Sequence, residues 1–324
     1  MRKRSSAKQN GFVPRIDPFY ALAGAKKERL DVFMDIISTL INGLCLGAVY
    51  ATIALGYTMV YGIAKMLNFA HGDVIMIGAY AIFFVMSHTN NPWLAIIISI
   101  IFCSLLGIII ERVAYKPLRG ASSLSVLITA IGVSYMLQSL AQLIFDVTPI
   151  PVSLFNDLSP ITLGGITIKM KSVITLIAGA IIMVALYLFI NRSKTGRAML
   201  AVSEDKGAAQ LMGVNVNRTI AITFAIGSAL AAVASVFYLF MTPVTQPTLG
   251  AMPGIKAFVA AVLGGIGSIP GAMVGGILIG IIEQFAIKYD AVSSYADALV
   301  FGILVIVLLV KPTGILGKKR NEKV

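Results

Sequence analysis

The chain has 324 residues, 58% hydrophobic and only 12% charged, with a formal net charge of +12 and a mean hydropathy of +0.90. Soluble domains carry about 25% charged residues, so this chain lacks the polar surface that water requires and reads as an integral membrane protein. The basic excess does not point to nucleic acid, because Lys and Arg cluster at the ends of apolar runs, where orientation in a bilayer puts them.

Residues 1–35 are polar and include Arg2, Lys3, Arg4, Lys8, Lys26, Lys27 and Arg29. The stretch lacks the apolar core of a cleavable signal peptide, so a flexible tail before an uncleaved first span is expected. A helix needs about 20 apolar residues to cross a hydrocarbon core of about 30 Å. Runs of that kind lie at 36–60, 93–110, 124–145, 172–190, 219–241, 270–286 and 295–310. Their continuity favours helices over the alternating strands of a barrel. Two further pieces, 74–86 and 254–263, are short and Gly-interrupted. They read as half-helices, or as full spans whose polar ends reach a protein-lined cavity. The expected fold is an all-α polytopic bundle of about eight to nine transmembrane segments with broken or re-entrant helices. It forms one membrane domain over 36–311, followed by a basic cytoplasmic tail over 312–324. Cys45 and Cys103 fall inside apolar runs and read as small core residues rather than a disulfide.

Charge sets the orientation. The loop with Arg112, Lys116 and Arg119, the loop 191–218, and the end with Lys311, Lys318, Lys319, Arg320 and Lys323 are basic and belong inside. The charge-balanced stretch 146–171 suits the outside, as a small hairpin, and so does 86–92, which has no Lys or Arg. If both short pieces cross, nine crossings result and the basic N-terminal tail lies outside. If one re-enters instead, the tail lies inside and another loop assignment moves.

The loop 191–218 has a helical middle: Ala198, Met199, Val202, Ala209 and Met212 recur at helix-like spacing, with Gly213 as a stop and Asn217 offered as the cap of the next span. It reads either as an interface-lying connector or as a knob that docks into a partner. Two breaks flank the short pieces, one in each half of the chain. The first carries Asn68, His71, Gly72 and Asp73; the second carries Gly264, Gly265, Gly267, Ser268, Pro270 and Gly271. Paired interruptions point to a transport path, because a broken helix frees backbone N–H and C=O groups to face a zwitterionic solute. Gly275, Gly276 and Gly280 also fit plain tight packing. His71 has no Cys or close second His, so no metal site is expected.

Ionisable residues almost all lie outside the spans, with Asp73, Glu111, Lys256 and Glu283 at the edges. The absence of a mid-span carboxylate disfavours proton or sodium coupling by a stand-alone secondary transporter or channel. No phosphate-loop motif and no nucleophile motif occurs, so ATP energy has to come from another chain and intramembrane catalysis has no support.

Several ordered stretches resemble the LivH type of branched-chain amino acid ABC transporter permease. They are Asn42-Gly43 with Leu46-Gly47 and Tyr50-Ala51, the run from Gly56 to Ile63, Asn68 to Gly72, Glu111 to Tyr115, Ala257-Phe258 with Ala260 to Ala272, and Pro312 to Gly317. The resemblance covers residue 34 to the C-terminus; the tail before it is longer than the family leads one to expect. It implies a binding-protein-dependent importer of the bacterial inner membrane: a second homologous permease, two cytoplasmic ATPase subunits, and a periplasmic or extracellular solute-binding protein. ATP and Mg would be bound by the ATPases, with no cofactor on this chain. It also implies that the loop matching 196–213 is the ATPase-coupling segment. Gly196, Arg197, Val202, Glu204 and Asp205 are its candidates in the first part, and Ala208, Ala209, Leu211 and Gly213 in the second. A path without buried formal charge suits leucine, isoleucine and valine.

Overall fold

The computed structural model describes residues 18–155, 159–163 and 166–317; expectations for 1–17 and 318–324 lie outside the described residues. The first helix, α1 (Pro18–Ala64), is 47 residues long. Residues 18–35, expected as flexible tail, are therefore helical. Ala, Lys, Glu, Arg and Leu are strong helix formers, and no Gly or Pro interrupts them between Gly24 and Gly43. The apolar part of α1, Val32–Ala64, has 33 residues. At about 1.5 Å per residue it is longer than the ~30 Å hydrocarbon core.

Six further helices are long and apolar enough to span: α2 (His71–Thr89), α3 (Pro92–Ile110), α4 (Ser123–Phe145), α5 (Met170–Arg192), α8 (Val216–Met241) and α10 (Ile269–Lys288). α3 continues through a π turn (Glu111–Tyr115) and a 3-10 turn (Lys116–Leu118). Between α5 and α8 lie α6 (Lys194–Glu204) and α7 (Lys206–Leu211). The last part holds α9 (Ala251–Gly264), the short α11 (Asp290–Ser293) and α12 (Ala296–Val310).

The short piece 74–86 is the middle of α2, a helix of 19 residues. Its apolar run looked short because His71, Gly72 and Asp73 at one end and Ser87, His88 and Thr89 at the other are polar or small yet helical. The piece 254–263 belongs to α9, whose 14 residues cover about 21 Å at 1.5 Å each. Non-helical chain, including β4 (Val244–Thr245), completes that crossing.

Contacts fix which ends lie together. At one end, Lys206 Nζ donates to Ala64 O (3.1 Å), Arg119 bonds Asn217, and Ile315 N donates to Leu263 O (2.8 Å). At the other, Lys288 pairs with Asp35 (2.6 Å), and β1 (Ile150–Pro151) pairs antiparallel with β4, Ile150 opposite Thr245. The hairpin of β2 (Ile161–Leu163) and β3 (Ile166–Ile168) lies in the connection from α4 to α5, the stretch expected to form one. Among the described residues the chain passes between the two ends nine times, counting α9 and α12. The first end carries the basic loops and is the inner one.

α8 is central: 67% of its apolar window is buried, against 22% for the peripheral α4. It packs on α1, α2 and α3, while α1 packs most extensively on α10. That last seam is built on small residues. A Cβ at Gly47 would sit 2.7 Å from Ile277 Cα, and one at Gly43 2.9 Å from Ile281 Cα, so glycine sets how closely the two backbones approach.

Candidate functional site

At the first break α1 ends at Ala64 and Lys65 takes a left-handed conformation (φ 60°). Asn68 is buried, and its Oδ1 accepts from Tyr115 Oη at 2.9 Å; the same hydroxyl reaches Leu67 O at 3.4 Å. His71, Gly72 and Asp73 form the first turn of α2 and are all buried. The His71 ring meets Tyr57 edge to face at 4.7 Å, and its Nε2 has no hydrogen-bond partner. Asp73 Oδ1 accepts from Gln138 Nε2 at 2.8 Å, which ties α2 to the peripheral α4.

The second break is a compact helix connection. Gly264 ends α9, Gly265 (φ 110°) and Gly267 (φ 90°) reverse the chain, Ser268 caps α10 by accepting from Gly271 N, and Pro270 occupies its first turn. Ser and Pro are suited to those positions, since one satisfies an orphan N–H and the other has none to lose. The C-terminal segment then packs onto the break, with Ile315 N on Leu263 O and Leu316 N on Gly264 O (2.9 Å). The start of the expected 312–324 tail is thus part of the fold. Gly264, Gly265 and Gly271 are buried in this packing, while Gly267 and Pro270 are exposed.

The two breaks lie side by side: a Cβ on Gly62, just before the first, would sit 3.4 Å from Gly267 Cα in the second. A Cβ on Gly254 would lie 2.9 Å from Gly72 Cα, so the starts of α2 and α9 also touch through backbone. Between the breaks runs a narrow cleft lined by Tyr57, Tyr61, Leu67, Asn68, Phe258 and Ile266. Its volume of about 10 Å³ holds about one water molecule and no amino acid. Of the sequence candidates only Asn68 lines it; Tyr57, Phe258 and Ile266 were not anticipated, because isolated aromatics in an apolar run give no signal of facing a cleft.

The four edge charges are buried and partnered, contrary to the expectation that ionisable groups stay clear of the interior. Glu111 pairs with Arg119. Lys256 pairs with Glu283 (2.7 Å) and Asp297 (2.6 Å), and Glu283 Oε2 accepts from Tyr50 Oη (2.9 Å). This cluster ties α9 to α1, α10 and α12. Asp73 and Glu111 flank apolar runs in sequence and Lys256 and Glu283 lie near the ends of theirs, but the fold brings other helices over those ends.

The loop after α5 forms two helices. Ser193 caps α6 through Gly196 N (2.8 Å), and Asp205 ends α6 and caps α7 through Gly207 N (2.8 Å) and Ala208 N (3.0 Å). Gly213 (φ 83°) closes α7, as expected. The cap of α8 is Asn215, not Asn217; Asn217 bonds Arg119 instead. Gly196, Met199, Val202 and Ala209 face inward. Arg197, Glu204, Asp205, Ala208, Leu211 and Gly213 are exposed, and Leu211 and Met212 stand 91% and 85% exposed at the tip. Burial and the neighbouring Arg119 hold the Lys206 ammonium below the usual lysine range.

Residues 39–309 match the family described as branched-chain amino acid transport system / permease component. The chain is 46% identical to the high-affinity branched-chain amino acid transport system permease protein BraD of Pseudomonas aeruginosa, over 89% of this chain and 98% of that one. It is 44% identical to the corresponding protein LivH of Escherichia coli, over 90% and 99%. A probable branched-chain amino acid transport permease protein LivH of Methanocaldococcus jannaschii is 29% identical over 82% and 87%. With a match across most of its length and nine passes through an all-helical bundle, the chain belongs to the branched-chain amino acid transport permease family.

Proposed function

We propose that this chain is the permease subunit of an ATP-driven importer that carries leucine, isoleucine and valine across the bacterial inner membrane. It works with a second permease, two cytoplasmic ATPases that hold ATP and Mg, and an external solute-binding protein. The observation that carries this reading is the α6–α7 knob. It is capped at both helix starts, lies on the basic end, and presents Leu211 and Met212 uncovered by any of the described residues. Bare apolar tips of this kind mark a docking surface. The ordered base of the knob, where Lys206 reaches Ala64, joins it to the end of α1 next to the first break. Closure of the ATPases is thereby delivered to the cleft. A neutral path with one amide and two tyrosines suits net-neutral zwitterions with apolar side chains.

The test is uptake of radiolabelled leucine into proteoliposomes holding the whole importer. Leu211→Asp with Met212→Asp is expected to cut uptake about tenfold or more by weakening ATPase docking, since truncating a buried hot spot costs roughly 2 kcal/mol or more. Uptake by this chain with no ATPase present would favour the stand-alone transporter and sink the reading.

A further inference from the structure

A second cavity, of about 590 Å³, opens at the inner ends of α3 and α8 and belongs to neither the cleft nor the knob tip. Its rim carries Arg112, Lys116 and Arg218. The one carboxylate in its wall, Glu111, is already neutralised by Arg119. Among the described residues, Arg112, Lys116 and Arg218 take part in none of the ion pairs. The rim thus holds three cations with no anion to answer them. Asn215 and Asn217 stand beside these cations at the start of α8, and the deeper wall is apolar: Ile108 lies one turn above Glu111 on α3, and Ala221, Ile222 and Ala225 continue up α8. Ala225 lies about 13 Å along the helix from Val216, at 1.5 Å per residue.

We propose that this cavity binds an anionic glycerophospholipid of the inner leaflet, with its phosphate among Arg112, Lys116 and Arg218 and an acyl chain along Ile108, Ala221 and Ala225. Charge complementarity fixes the sign of the headgroup, because Arg and Lys near a membrane surface attract anionic lipid. Depth fixes the class of occupant. A cytoplasmic ATPase reaches the rim but not a groove that runs into the span, and a free phosphate leaves the apolar wall bare. The π turn at Glu111–Tyr115 shapes the site: Glu111 and Tyr115 are buried while Arg112 is exposed at the rim.

The test uses the full-length chain in nanodiscs of phosphatidylcholine doped with phosphatidylglycerol, read by native mass spectrometry of lipid retained on release. The wild type is expected to keep one phosphatidylglycerol, preferred at least about tenfold over phosphatidylcholine, given roughly a fivefold preference for each basic residue. The variant R112Q/K116Q/R218Q should lose the preference, while K169Q/K171Q at the outer end should keep it. Ala225→Trp, which fills the groove and leaves the rim charges in place, should lower retention of both lipids. Unchanged phosphatidylglycerol retention in the triple glutamine variant, at an unchanged melting temperature, overturns the proposal. So does displacement of the lipid by inorganic phosphate beyond a salt-matched chloride control, or its exclusion when the ATPases or a second permease bind.

Discussion

Asp205 shows how the same residue reads differently from sequence and from structure. Among the exposed charges of the knob it looks like a contact for a partner. Its carboxylate in fact accepts from Gly207 N and Ala208 N, so its first duty is to start α7. The two duties separate by substitution. Asparagine caps helices as well as aspartate but carries no charge, whereas alanine costs about 1 kcal/mol of local helix stability. Asp205→Asn is expected to keep uptake near wild type, and Asp205→Ala to lower uptake per ATP hydrolysed; equal losses would assign the charge itself to the partner. Glu204 makes no such cap, so Glu204→Lys should act only through the docking surface. Lys206 adds a pH signature. Its folded-state affinity for protons is reduced, so between its folded and unfolded titration ranges the unfolded chain binds more protons, and stability rises with pH. Lys206→Met is expected to flatten that rise on the alkaline side, below the usual lysine titration range, measured as melting temperature, with wild type as the reference.

At the level of elements, the helices longer than the membrane is thick were legible because apolar runs of that length have no other use. α6, α7 and the stop at Gly213 were legible from spacing and turn chemistry. What could not be read was how the half-length α9 is held. Its Lys256 lies among apolar residues, and only the fold brings Glu283 from α10, Asp297 from α12 and Tyr50 from α1 to meet it. Removing one member of a buried pair leaves the other uncompensated and costs roughly 3–5 kcal/mol. Lys256→Met, which strands two carboxylates, should therefore lower the melting temperature sharply. Lys256→Met combined with Glu283→Gln should recover much of the loss, because a single carboxylate, the half-exposed Asp297, then remains. A double variant as unstable as the single one would show that the cluster does not anchor α9. The α1–α10 seam responds differently. Gly47→Leu would drive a side chain into the Ile277 backbone, and small alternatives such as alanine still clash there, so both should destabilise, leucine more.

At the scale of the whole bundle, the nine passes among the described residues place Pro18, at the start of α1, and Gly317 on opposite sides. Ten Lys and Arg, from Lys65 to Lys311, lie in the described loops of the inner end, against Lys169, Lys171 and Lys288 beyond α1 at the outer one. That asymmetry orients the bundle, and it carries Lys26, Lys27 and Arg29 outward with the start of α1, against the bias of the first helix alone. Sequence left this conflict open because it turned on whether α2 and α9 cross. The structure resolves the count through contacts no sequence pattern displays: Lys288 with Asp35 at one end, Lys206 with Ala64 at the other. The two cysteines are buried, so single engineered thiols report cleanly in a chain with Cys45 and Cys103 replaced by alanine. A membrane-impermeant maleimide applied to intact spheroplasts should label Arg29→Cys and Asn90→Cys, and should label Ala208→Cys only after permeabilisation. Labelling of Arg29→Cys that also requires permeabilisation would put both ends of the chain inside, remove one crossing, and detach the knob from the path by which ATPase closure reaches the cleft.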